Sequence, residues 1–466
     1  MALAELSTEL INEVLLHIES VTTISRVSRR FHEITEQMIY SNISLNHPKS
    51  YKQFIQTLVA RPELARHVRR FHTFGHPYGW DFDLSFLSPR HQLWIRSQLP
   101  EEIHGKKFCN KWFRKMFFQV NVNWLEVPLF WDAITAFLLT MFSPTLQSLE
   151  VNAYGSAVMR YQFIDAVLKA GSVVWPRLQN ITVDSSPAIY VPIANSTVAL
   201  DLIVPFLHVP SLTKLRAGNL SQSSWRLGNS PLKDQVFHVT ELTLTCCALT
   251  GRVLAQFLRC FDSLKRFEMQ YKQSKMLGKA IRKGLTSSKS TLEELIVTRT
   301  RVACYSSESG EYDSSDDGAE GISDDILARD QNRREVLGSL RRFGNLKKLR
   351  AECSFLGLSS NLTTLELPID PEERYCIHIA AHRAAFVKSL PLPLEQLTIE
   401  SASQGIDCSL IDLFTRGWFG SSTPDLQTVF LRFGYRNPMF PPVAPRLKEM
   451  REVASRSGVA VIWEWS

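Results

Sequence analysis

His67, His72 and His76 are the first side chains along the chain whose type and spacing suggest chemistry, because two imidazoles four apart on one helical face can share a metal ion. Gly75 and Pro77 fall in that stretch and spoil the single face such a pair needs. The eight cysteines, at 109, 246, 247, 260, 304, 353, 376 and 408, include no Cys-x-x-Cys pair, so they read as reduced, small apolar core residues. The sequence has no glycine-rich phosphate loop, no His-Glu-x-x-His and no Gly-x-Ser-x-Gly. No catalytic residue, metal ligand or cofactor is nominated, and the chain is not expected to be an enzyme.

Two charged stretches point to binding. Over Lys106 to Phe118, Lys107, Lys111, Arg114 and Lys115 form a basic stripe, while Phe108, Trp112, Phe113, Met116 and Phe117 form an apolar one. Phosphates could take the cations and bases could stack on the rings. Helical spacing puts the aromatics mainly on one face, however, so packing against the rest of the protein ranks ahead of nucleic acid. A net charge of +7 over 466 residues is modest. Residues 306–325 hold eight acidic side chains and no basic one, the composition of a disordered loop (305–326). Ser314, three residues before Asp317, is a candidate phosphorylation site that would extend the acidic charge.

These features need elements to position them. The pattern aliphatic-x-x-aliphatic-x-aliphatic occurs at Leu146/Leu149/Val151, Leu178/Ile181/Val183, Leu212/Leu215/Ala217, Val239/Leu242/Leu244, Leu264/Phe267/Met269, Leu292/Leu295/Val297, Leu346/Leu349/Ala351, Leu394/Leu397/Ile399 and Leu426/Val429/Leu431. At 44% hydrophobic content, roughly 8% of windows fit such a triplet by chance. The flanks are more specific: Pro144, Pro176, Pro210 and Pro424 each stand two places before the first leucine. Each such octet follows a stretch that can be helical, such as Trp131 to Phe142 or Gln162 to Lys169. The unit is predicted to run helix, proline-containing turn, short strand. Stacked in series, such units give a parallel-stranded array resembling leucine-rich repeats, irregular and bearing insertions. The interval from Leu292 to Leu346 is about two ordinary periods and contains the acidic loop, which is expected to extend a connection rather than divide two domains.

Ahead of the array, Leu6, Leu10, Val14 and Ile18 recur every four residues behind Ser7 or Thr8 as a cap, with Glu9 complementing the helix dipole. Ile24, Val27, Phe31 and Ile34 form a second helical series interleaved with Arg26, Arg29 and Arg30. A helix through Phe54 and Leu58 is expected to break near Pro62 before Leu64 and Val68.

Residues 6–45 resemble an F-box of the kind found at the N-terminus of many fungal F-box proteins. Leu6-Ser7-Thr8-Glu9-Leu10-Ile11 is similar to the family's Leu-Pro-x-Glu opening, with Ser7 at the proline position. Val27-Ser28-Arg29-Arg30-Phe31 is similar to its second-half core, and Tyr40 to Leu45 to its run-out. The stretch from Ile18 to Val27 is shorter than the family's usual helix connection, and its acidic or proline-containing loop is missing. The resemblance implies a docking module for the adaptor subunit of an SCF-type cullin-RING ubiquitin ligase, with Leu6, Glu9, Leu10, Ile11, Ile18, Val27 and Phe31 as the adaptor-binding residues. Through that adaptor it implies a cullin, and for the array an unknown protein substrate. The alternatives are a scaffold without ubiquitin transfer and a repeat-only interaction protein with a helical N-terminal cap.

The expected fold is α+β overall: a small all-α F-box over 1–46, a linking helical region and the start of the solenoid over 47–130, and an irregular α/β leucine-rich-repeat-like solenoid with parallel strands over 131–466. Glu5, Glu9, Glu13 and Glu19 argue against a signal peptide. The apolar stretch Leu129–Phe142 contains Asp132 and falls short of the roughly 20 residues of a membrane span. Cytoplasm or nucleus is the expected location.

Overall fold

Alternation decides the strands. In each motif the second and third aliphatics are two residues apart, so they project to one face of an extended segment while the residue between them projects to the other. In the computed structural model of the chain, all nine triplets have every member buried, and each contributes its last two residues to a strand. The structure describes residues 29–74, 84, 86–101, 105–117, 127–152, 162–169, 175–184, 198–200, 203–221, 235–247, 249–271, 277–299, 337–352, 355–356, 386–402, 406–433 and 444–465.

The chain divides into two units, Met1–Asn219 and Leu220–Ser466. In the first, α1 (Arg29–Ser41), β1 (Asn42–Leu45), α2 (Pro48–Ala60), a 3-10 turn (Pro62–His67) and β2 (Arg70–Phe74) come first. They are followed by α3 (Pro89–Ser97), α4 (Lys106–Phe117), α5 (Val127–Phe142), β3 (Ser148–Asn152), α6 (Gln162–Lys169), β4 (Asn180–Asp184), α7 (Val204–Leu207) and β5 (Lys214–Gly218). Strands β1 to β5 pair in chain order, all parallel. The second unit runs β6 (Glu241–Cys247), α8 (Gly251–Leu258), β7 (Arg266–Tyr271), α9 (Leu277–Gly284), β8 (Glu294–Arg299), β9 (Lys348–Glu352), β10 (Gln396–Ala402), α10 (Ile406–Thr415), α11 (Trp418–Ser422), β11 (Thr428–Phe433), α12 (Ala444–Arg456) and β12 (Ala460–Trp465). Its strands are again parallel and sequentially paired. The result is an α/β architecture with the helices on the connections, as parallel pairing requires.

Register is set at the entrance of each strand. The carbonyl one residue before a strand accepts two amides from the next: Arg69 O takes Gln147 N (2.7 Å) and Ser148 N (3.0 Å), and Gln147 O takes Gln179 N and Asn180 N. In the second unit Lys265 O takes Glu293 N and Glu294 N, Glu293 O takes Lys347 N and Lys348 N, and Lys347 O takes Glu395 N and Gln396 N. Side chains reinforce the step: the residue before the first aliphatic donates to the carbonyl of the first aliphatic one motif earlier, Thr145 Oγ1 to Val68 (2.9 Å), Ser211 Oγ to Leu178 (2.8 Å) and Thr291 Oγ1 to Leu264 (2.9 Å). The four signature prolines all sit in the turn just ahead of a strand.

Because β8 and β9 are direct neighbours, the long interval from Leu292 to Leu346 extends one connection and omits no strand. The acidic residues 306–325 lie outside the described residues. The expected break at Pro62 is present: His47 caps α2 by accepting from Lys49 N (3.2 Å), Pro48 occupies the first turn, and the helix stops at Arg61, whose N–H closes on Thr57 O (2.8 Å). Strand pairing begins at Asn42, within the span expected for the all-α F-box, and takes in Asn42–Leu45 of the run-out. Among the described residues no helix is long and apolar enough to cross a membrane.

Candidate interaction surfaces

Residues that alternate with the buried aliphatics stand on the sheet face away from the apolar core, and in the second unit several of them carry paired charge. Glu268, between Phe267 and Met269, accepts from Arg266 (3.2 Å), which also reaches Glu294 on the next strand (3.2 Å). Further along, Arg350 Nε and Arg432 Nη1 both donate to Glu400 Oε1, at 2.6 and 3.1 Å, and Arg432 Nε donates to Glu464 (3.1 Å). That ladder crosses β9, β10, β11 and β12. Glu400 is 6% exposed, whereas the two arginines stay about a third exposed, at 39% and 34%. Beside it, Glu352 accepts from Tyr271 Oη (2.9 Å) and Arg299 N (2.7 Å). Phe430 and Ile462, in register on β11 and β12, give the same face an apolar end, with Ile462 40% exposed. A face of fixed, half-exposed guanidiniums flanked by an apolar patch can select a partner by charge and shape.

The first unit presents a different rung. Ser44, His72 and Glu150 are in register across β1, β2 and β3. Ser44 Oγ lies 3.3 Å from His72 Nδ1, and His72 Nε2 lies 3.4 Å from Glu150 Oε1. The residue types are those of a hydrolytic triad, yet the three stand on successive strands with Glu150 48% exposed, and the described residues show no paired amides aimed at Ser44 to hold an oxyanion. It is read as a cross-strand polar rung.

Behind that face the first unit buries polar groups. Tyr51 Oη and Thr73 Oγ1 share a hydrogen bond, and Trp131 Nε1 donates to Tyr51 Oη (3.3 Å). Burial pushes the Tyr51 hydroxyl up to about 12. Asp132, one residue on in α5, accepts from Phe163 N (2.8 Å) and Ile164 N (3.0 Å) and so caps α6 from a neighbouring helix. Burial outweighs those amides and raises its carboxyl to about 7.

The basic and aromatic segment forms α4. Trp112 is buried, donates to Ala133 O (2.7 Å) and stacks on Phe163 at 5.7 Å. Met116 and Phe117 are buried too, and Lys106, Lys107, Lys111 and Arg114 are exposed. The aromatic stripe is therefore committed to packing. Cys109, Cys246, Cys247 and Cys260 are free thiols; burial raises the pKa of Cys109 and pushes Cys260 up to about 11, which keeps both out of the thiolate form. Among the described residues no group of three or more metal-ligating side chains gathers.

Of the seven nominated adaptor-binding residues, Leu6, Glu9, Leu10, Ile11, Ile18 and Val27 lie outside the described residues, as does Ser314. Phe31 is described and buried, with its carbonyl accepting from Thr35 Oγ1 (2.6 Å). Helix α1 packs on the 3-10 turn and is fastened by Arg61, which grips Glu36 at 2.5 and 3.0 Å and Glu63 at 3.0 Å. The charged face of the second unit is a site the sequence reading missed; its signal lay in Arg350 between two motif aliphatics and in Glu400 and Arg432 directly after the third. No family model matches the chain, and no curated protein matches it.

Proposed function

We propose that the chain is the substrate-recognition subunit of an SCF-type cullin-RING ubiquitin ligase, with residues 6–45 acting as an F-box and the parallel-stranded array acting as a leucine-rich-repeat-like solenoid that binds a protein substrate. The observation that supports the reading is the Arg350–Glu400–Arg432–Glu464 ladder, a part-exposed charge pattern across four neighbouring parallel strands. Such a subunit contributes no bond-making groups. It raises the effective concentration of a substrate and orients it toward a thioester carried elsewhere, which agrees with the lack of a nucleophile or cofactor motif in the sequence. On this reading the protein works in cytoplasm or nucleus.

A second reading has a specific observation behind it. Phe31 is buried and Ile43 and Leu45 belong to the first unit's sheet, so the same segment suits an N-terminal cap on a repeat-only interaction protein. The Leu10→Asp, Ile11→Asp double variant separates the two. Adaptor capture should be abolished while the circular-dichroism spectrum and melting of the array are retained; unchanged capture refutes the F-box. Adaptor co-purifying without cullin would support a scaffold instead of a ligase.

A further inference from the structure

Across two consecutive motifs of the second unit, the helix-and-turn stretches carry cations alone. Residues 277–292 contain Lys279, Arg282, Lys283 and Lys289, residues 337–346 contain Arg341 and Arg342, and neither stretch has a carboxylate. Helix α9 turns Leu277, Ala280 and Ile281 inward, which leaves Lys279 and Lys283 exposed; Lys289, Arg341 and Arg342 are exposed as well. The two stretches touch. Asn345 hydrogen-bonds Ser290 O, and a side chain at Gly338 would meet the Arg282 guanidinium at 3.3 Å. Arg282 Nε is buried with no hydrogen-bond partner among the described residues. Six like charges on adjacent turns repel one another and favour an anionic ligand.

Topology says which anion is at hand. Helix α9 lies on the connection from β7 to β8, and residues 300–347 are the connection from β8 to β9, which ends in the second basic stretch. Consecutive crossovers of a parallel sheet run side by side. Residues 306–325, with eight carboxylates and no cation, thus belong to the crossover next to the basic one. The seven steps from Arg299 to Ser306 reach at most about 24 Å, and the twelve from Asp325 to Leu337 about 40 Å.

We propose that the basic face formed by Lys279, Arg282, Lys283, Lys289, Arg341 and Arg342 is a binding site for acidic peptide, and that its resident ligand is the chain's own segment 306–325. Tethering at both ends supplies a high effective concentration, so an outside acidic partner must outcompete the resident one. Phosphorylation at Ser314 would strengthen the internal contact. Nucleic acid suits the face less well, since the exposed side chains named offer no aromatic ring on which a base could stack. The inference stands whether or not the chain docks a ligase adaptor.

The test uses a fluorescein-labelled peptide of residues 306–325, read by anisotropy. Against the full chain with 306–325 replaced by an equally long Gly-Ser stretch, the peptide should bind and weaken as salt rises. Against the intact chain it should bind about tenfold more weakly, because the site is already filled. In the Gly-Ser chain, the exposed-site variant Lys279→Glu, Lys283→Glu, Arg341→Glu, Arg342→Glu should cut binding about tenfold or more with an unchanged melting temperature. Equal binding by intact and Gly-Ser chains, or equal binding by the charge-reversed variant, overturns the proposal. So does tighter binding of a single-stranded RNA of the same charge, which would make the face a nucleic-acid site.

Discussion

The first unit admits a buried polar group at a core position of its strand motif, whereas the second keeps that position apolar and gathers paired charge on its open sheet face. In the first, Thr73 takes the third position of a motif whose other members are apolar, and its hydroxyl is held by Tyr51 with Trp131 beside it; Asp132 is likewise buried at the head of α6. In the second, the same motif positions are Leu244, Met269, Val297, Ala351, Ile399 and Leu431, all buried and apolar, and the charges stand on the opposite face as the Arg350–Glu400–Arg432–Glu464 ladder. The same backbone plan thus has two uses for polarity. Inside, hydrogen bonds fix one arrangement of the core, since a buried donor without its acceptor is costly. On the open face, ion pairs whose arginines stay about a third exposed leave charge available for recognition.

The largest test of this contrast is Asp132. Its carboxyl sits at about 7 when folded, against about 3.9 in an unfolded chain. The folded state therefore holds the proton more tightly, an advantage complete below about pH 4 and lost as pH rises through about 7, spanning up to about 4 kcal/mol. Asp132→Asn has no proton to lose, so its urea-unfolding stability relative to the parent should improve on that scale between pH 4 and 8. A difference that stays flat with pH would mean the amides heading α6 support the charge unaided. Next comes Thr73→Val, which restores the apolar motif yet removes one buried hydrogen bond of the Tyr51 hydroxyl; a loss of about 1 kcal/mol is expected by denaturant titration. A gain would remove the specifying role of the buried cluster. The smallest effect is that of Arg432→Ala, expected to cost less than about 1 kcal/mol and to fade in high salt. Should it cost as much as Thr73→Val, the two faces are not used differently and the ladder is structural.

Much of this plan was legible because burial in a parallel sheet repeats one short pattern. All nine triplets found by spacing lie buried, and the four prolines mark turns. Three of the sequentially paired parallel strands escaped because one member of each triplet is chemically atypical. Thr73 is polar and shares a hydrogen bond with Tyr51, some twenty residues earlier. Tyr40, ahead of Ile43 and Leu45, is half-buried and aromatic. Gly458, ahead of Val461 and Trp463, adopts φ +74°, a left-handed conformation that an aliphatic residue would resist. The charge ladder was implicit in positions such as Arg350 and Glu400, but their pairing depends on which strands are neighbours, and fifty residues separate the two. The opening helix pattern at Leu6 to Ile18 has no described counterpart, so the F-box reading rests on its residue match and on the double-variant experiment.

The doubled amides at each strand entrance bear on how such a chain can be rebuilt. Glu293 O receives Lys347 N and Lys348 N with the same geometry with which Lys265 O receives Glu293 N and Glu294 N, although one step spans 54 residues and the other 28. A junction that registers the next strand by its first two amides is indifferent to the length of chain between. Evolution, or a protein engineer grafting a reporter domain into the stretch between Arg299 and Leu337, can therefore lengthen that crossover while leaving the neighbouring strands in step.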